Sequence, residues 1–152
     1  TLLMFAAQEN RPGAVRLLLA AGASPDIIAV HGSLQTTRPG CSALVLAGAN
    51  GSATIVELLL EAKASPDPPL LSADGKVGWS ALSVAASSGY IDCARLLMNA
   101  GARTDILHPT AGLDALQIAR QNGHFNTAML LESASTLISS TLTAETNKPE
   151  TA

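Results

Sequence analysis

Aromatic residues are nearly missing from this chain: two Phe, one Tyr and one Trp make up 3% of 152 residues. The apolar material, 47% of the sequence, is therefore mostly Ala, Leu, Ile and Val. A core of small aliphatics suits closely packed helices better than a β-sandwich, which draws on aromatic and β-branched strand residues. Cysteine is as scarce. Cys41 and Cys93 alone supply neither a disulfide framework nor a zinc site. Basic residues number nine, against twelve acidic, and they are scattered. Nucleic-acid binding needs clustered Lys and Arg to neutralise phosphates, so it is not expected. No run reaches the roughly 18 apolar residues of a membrane span, and no signal peptide is visible. The chain starts at Thr1 rather than Met, and is expected to be a piece of a longer protein.

What is present is self-similarity. The segment S-A-L-S-V-A-A-S-S-G (80–89) recurs as S-A-L-V-L-A-G-A-N-G (42–51), D-A-L-Q-I-A-R-Q-N-G (114–123) and T-L-L-M-F-A-A-Q-E-N (1–10). Each is followed by a second apolar block: A-V-R-L-L-L-A-A-G-A (14–23), I-V-E-L-L-L-E-A-K-A (55–64), C-A-R-L-L-M-N-A-G-A (93–102) and T-A-M-L-L-E-S-A-S-T (127–136). Successive first blocks are offset by 41, 38 and 34 residues.

This repetition decides how Ser80 is read. G-W-S-A-L (78–82) carries most of the G-x-S-x-G elbow that displays a nucleophilic serine. Yet its equivalents are Thr1, Ser42 and Asp114, three residues whose side-chain oxygen caps a helix N-terminus. A nucleophile is not repeated and then replaced by Asp, and Leu82 stands where the elbow needs its last glycine. Ser80 is expected to be a cap. Asn10, Gly51, Gly89 and Gly123 are expected to close the first helices in the left-handed conformation. Gly22 and Gly101 close the second ones, with Lys63 taking that place once at about 1 kcal/mol of strain. The alanines at 6, 47, 85 and 119 permit close helix approach. The leucine pairs 17–18, 58–59, 96–97 and 130–131 are expected to form one continuous core.

The four blocks resemble the ankyrin-repeat family, with its period of about 33, its two helices and β-turn, and its T-P-L-H-x-A signature. Here the signature runs Thr1-Leu2-Leu3-Met4-Phe5-Ala6, Ser42-Ala43-Leu44-Val45-Leu46-Ala47, Ser80-Ala81-Leu82-Ser83-Val84-Ala85 and Asp114-Ala115-Leu116-Gln117-Ile118-Ala119. The family's histidine is absent from every copy. The resemblance implies an all-α repeat solenoid of about four helix-turn-helix units with β-hairpin fingers. The units run roughly over 1–36, 37–74, 75–108 and 109–136, with a disordered tail over 137–152. Against the family period the offsets leave insertions of about eight, five and one residues. They fall in 27–40, 68–78 and 106–112, led by the turn residues Asp26, Asp67 and Asp105. The apolar pieces Ile27-Ile28 with Val30, and Leu70-Leu71, either tuck under these fingers or are exposed contacts. Glu132 stands where Leu19, Leu60 and Met98 do, which marks the end of the array. The first copy has no such polar substitution, so more repeats are expected ahead of Thr1, or an exposed apolar face.

The resemblance also implies function: a protein or peptide partner bound by finger tips and first-helix ends along a concave groove. Carried over copy by copy, the candidates are Arg38, Cys41, Lys76, Val77, Trp79, Thr110 and Leu113 on fingers. On helices they are Gln8, Glu9, Ala49, Asn50, Ser87, Ser88, Gln121 and Asn122. Trp79 is the sole tryptophan, a residue favoured at binding hot spots. His124 follows Gly123 as in the family's structural Gly-His pair. His31 and His108 lack further ligands at metal spacing. Cys93 occupies a core position, whereas Cys41, on a finger, is a candidate exposed thiol. No cofactor, catalytic constellation or membrane span is expected, and a monomeric, intracellular interaction module is the leading reading. Its rivals are a regulatory or substrate-recruiting region of an enzyme whose catalytic domain lies elsewhere, a spacer, and a hydrolase acting through Ser80.

Overall fold

A computed structural model describes residues 1–28, 41–67, 79–107 and 112–134. The candidates Arg38, Lys76, Val77 and Thr110, together with His31, Val30, Leu70-Leu71, His108 and the tail 137–152, lie outside the described residues. So do most of the three finger segments. Among the described residues every regular element is a helix.

The helices come in antiparallel pairs: α1 (Leu2–Gln8) with α2 (Pro12–Ala20), α3 (Ala43–Ala49) with α4 (Ala53–Glu61), and α5 (Ala81–Ser88) with α6 (Ile91–Asn99). A fourth pair follows, α7 (Ala115–Gln121) and α8 (125–134). The odd-numbered helices stack in one row, α1 on α3 on α5 on α7, and α2, α4 and α6 stack in a second.

Helices of seven to nine residues are marginal alone, so their ends and their packing must hold them. The N-termini of the first row are capped as expected. Thr1 Oγ1 accepts from the Met4 N–H at 3.3 Å, Ser42 Oγ from Val45 at 3.3 Å, Ser80 Oγ from Ser83 at 3.0 Å and Asp114 Oδ1 from Gln117 at 2.8 Å. The C-termini close in Schellman fashion, with paired bonds such as Gly89 N–H to Ala86 O and Tyr90 N–H to Ala85 O. The closing residue is left-handed at Asn10, Gly51, Gly89 and Gly123 and again at Gly22, Lys63 and Gly101, all with positive φ.

Leu3, Leu44 and Leu82 on the first row, and Leu59, Leu97 and Leu131 on the second, are buried among alanines 6, 47, 85 and 119. One expectation fails here. Leu17 does not join the core but is 73% exposed. Its equivalents Leu58, Leu96 and Leu130 are half-buried against the core, whereas no described helix pair lies on the outer side of α2 to cover Leu17.

Candidate functional site

Contacts between neighbouring pairs set the site's frame. Asn50 Nδ2 donates to Ala7 O at 3.3 Å and Gln8 O at 2.6 Å, and so ties the end of α3 to the end of α1. Asn122 repeats this one step along, donating to Ser87 O at 2.8 Å and Ser87 Oγ at 3.1 Å, while His124 Nε2 meets Ser87 O at 3.1 Å. These two asparagines, both candidates for partner contact, also act as struts within the array. Their spacing in sequence marked exposed helix ends correctly, but could not show that a carbonyl of the preceding helix lies within reach.

Between the struts, on the first-helix row, a cavity of about 320 Å³ opens between α3 and α5. Cys41, Val45, Leu46 and Ala49 line one side; Trp79, Val84, Ser87 and Ser88 line the other. Five residues singled out from sequence therefore meet at one place: Cys41, Ala49, Trp79, Ser87 and Ser88. Cys41 is only 6% exposed, so the expectation of an exposed reactive thiol is corrected. It forms part of the wall because α3 begins right behind it. Trp79 is half-buried and packs against the core with one edge on the cavity. Val45, Leu46 and Val84 were missed in sequence. They stand at the fourth and fifth places of the repeated blocks, where apolar character reads simply as core.

The remaining candidates are dispersed. Gln8 and Glu9 sit a repeat earlier, Gln8 half-buried and Glu9 exposed; Gln121 is exposed and Leu113 half-buried at the far end. Among the described residues no charged side chain lines the cavity, so these offer shape, apolar contact and serine hydroxyls rather than ionic recognition.

Groups that resemble chemistry are accounted for by structure. Ser80 is 2% exposed and its hydroxyl oxygen is occupied by the Ser83 N–H. Burial pushes the Cys93 thiol above its usual range, with the nearby Asp92 charge adding to the effect, so it stays protonated. Asp26 and Asp67 do more than open turns. Asp26 Oδ1 accepts from the Ser65 N–H at 2.8 Å, and Asp67 Oδ2 from the Arg103 N–H at 2.6 Å, so each turn holds the next. Asp105 instead pairs with Arg103 through two bonds of 3.0 and 2.8 Å, which holds its carboxyl below the ordinary value. Among the described residues no group of three or more His, Cys, Asp or Glu could hold a metal ion. Nor is any helix among them long and apolar enough to cross a membrane.

Comparison with known proteins agrees with this geometry. A family model described as ankyrin repeats (3 copies) matches residues 3–108 and, in a second alignment, residues 67–141. A search of curated proteins found no match.

Proposed function

Because this chain belongs to the ankyrin-repeat family, whose arrays are generally protein–protein interaction modules, we propose that it binds a protein or peptide segment at the cavity between α3 and α5. It performs no chemistry of its own in this reading. The carrying observation is the convergence of Cys41, Trp79, Ser87 and Ser88, from two repeats, on one recess whose described lining is apolar and uncharged. At about 320 Å³ the recess lies at the small end of binding pockets and accommodates a side chain or two, not an extended ligand. Its lining favours a large apolar residue of the partner. A charged residue would lose water there without gaining a counter-ion. Ser88, exposed at the rim, is free of the strut that engages Ser87 and stands where a partner backbone would pass.

The test is affinity capture with the parent chain and with Trp79→Ala and Ser88→Arg variants, after a melting curve confirms that each variant folds. A partner held by the parent and lost by Ser88→Arg supports the recess as the binding site. The same partner on all three baits moves binding to another surface and overturns this reading.

A further inference from the structure

The two ends of the array are built differently. On α7 and α8 the outward positions are Gln117, Arg120 and Glu132, and Arg120 Nη2 pairs with Glu132 Oε1 at 2.9 Å. The same positions inside the array are Val45 and Ser83, Gly48 and Ala86, Leu60 and Met98. A polar, ion-paired surface ends the stack there, as expected of a terminal repeat.

The opposite face has no such finish. Leu2, Phe5, Ala14 and Leu17 point away from the array, with Leu2 74% and Phe5 45% exposed, around an apolar hollow of about 440 Å³. In each later pair the residues matching Leu2 and Ala14 are buried and those matching Leu17 are half-buried. Ala43, Ala81 and Ala115, which match Leu2, and Ile55, Cys93 and Thr127, which match Ala14, are all buried. Two polar features keep the same register. Ser24 stands where Ser65 and Arg103 do, and those two N–H groups each receive an aspartate from the preceding repeat. Arg11, on the rim of the hollow, stands where Ser52, Tyr90 and His124 do, and each of those rests on the preceding inter-helix loop.

We propose that this face is an interface for one more helix pair of the same kind, carried by the same polypeptide ahead of Thr1. That pair ends in a turn whose aspartate accepts the Ser24 N–H. The argument is continuity: the face carries the positions that form the junctions within the chain, with the aspartate contact present at two of them and the loop contact at three. A second copy stacked head to tail does not fit, because it would bring Gln117, Arg120 and Glu132 against Leu2 and Leu17. Leu2 adds a requirement. A Cβ on Gly48 would lie 3.0 Å from Ala81 O, so even alanine fits tightly at this crossing. A leucine in alanine's place needs glycine opposite it or a wider spacing. The proposal rests on the repeat stacking and not on the partner-binding recess, and its test involves no partner.

Two proteins are compared: the chain starting at Thr1 and the longer polypeptide with its native residues ahead of Thr1. Leu17→Asp is placed in both, with Leu17→Gln as a milder version. In the shorter chain the exposed site should tolerate either change, with melting shifted by about 1 °C or less. In the longer one Leu17→Asp should lower melting by roughly 5 °C or more, because it buries an unpaired charge. Equal shifts in the two proteins overturn the proposal. So does a reading frame without residues ahead of Thr1. Sedimentation of the shorter chain as a dimer that Leu17→Asp dissociates also overturns it, and gives the face to a second copy.

Discussion

At the scale of single residues, the loops between paired helices are written by their neighbours. Ser52, Tyr90 and His124 each follow a left-handed residue and each lies on the left-handed residue one repeat back. Ser52 Oγ donates to Asn10 Oδ1 at 2.7 Å. A Cβ on Gly51 would fall 2.6 Å from the Tyr90 ring, and one on Gly89 only 2.5 Å from His124 Nδ1. Small Ser52 thus permits Asn10, whereas the two rings require glycine beneath them. Gly123 has the same positive φ but no described atom within 4 Å of such a Cβ, which separates the two causes. Gly123→Ala should cost about 1 kcal/mol from left-handed strain alone. Gly89→Ala should cost that and roughly 1–3 kcal/mol more from the clash. His124→Ala in the Gly89→Ala background should return most of the excess. Urea titrations of the four proteins decide it, and equal losses for Gly89→Ala and Gly123→Ala would show that the ring contact is irrelevant. The left-handed residues themselves were legible in the sequence, because a helix stop is local. The residues seated on them were not, because seating depends on the distance between repeats.

At the scale of elements, each of the first two pairs is fastened to the next by a turn carboxylate, and one of these fasteners is imperfect. Asp67 Oδ2 accepts the Arg103 N–H, but Asp67 Oδ1 is buried with no hydrogen-bond partner among the described residues. Burial raises its pKa above the ordinary 3.8, and the Arg103 N–H and charge offset this only in part. A raised value means that the folded chain holds the proton more tightly than the unfolded chain. The resulting stability is fully present below the unfolded pKa and is lost as pH rises through the folded one. Asp105 runs the other way: its lowered value gives stability present above 3.8 and lost on acidification, though both it and Arg103 are exposed and the effect is small. Asp67→Asn keeps an acceptor for the Arg103 N–H and removes the charge. Its stability should therefore lack the decline that Asp67 contributes just above pH 3.8, and at pH 7 should equal or exceed that of the parent. Denaturant midpoints of both proteins from pH 4 to 7 check this. Parallel pH curves would mean that Asp67 titrates alike in both states. The sequence placed Asp26 and Asp67 in turns, but which backbone N–H each reaches lies 39 or 36 residues away. Composition and spacing carry no such information.

At the scale of the molecule, repetition made the architecture readable and hid the recess. Four copies of one pattern announce stacked helix pairs, since each short helix can bury its apolar face only on a neighbour. The recess belongs to no single copy. It arises where Val45 and Leu46 of one pair face Trp79 and Val84 of the next, and a pattern common to all copies cannot say which junction opens. That junction joins α3 to α5, the two inner members of the first-helix row. In a stack where each pair touches only its neighbours, stability is close to a sum of pair and junction contributions. In the chain starting at Thr1 the inner described pairs have two junctions and the outer ones a single junction, and α1–α2 also leaves Leu2 and Leu17 in water. Opening should therefore begin at α1–α2. The slowest hydrogen exchange should lie in α3–α6, with the amides of Val56, Leu59, Ala94 and Leu97 exchanging only through near-global unfolding. Amides of Val15 and Leu18 should exchange at least about tenfold faster, and Leu59→Ala, which costs roughly 2–5 kcal/mol in a buried site, should erase most of that contrast. Exchange mass spectrometry reads all of these at once. Uniform protection from α1 to α6 would mean that the pairs open as one unit. A gradient would mean that the recess is carried on the most persistent part of the stack, so a partner meets it already formed and spends little of its binding energy on ordering.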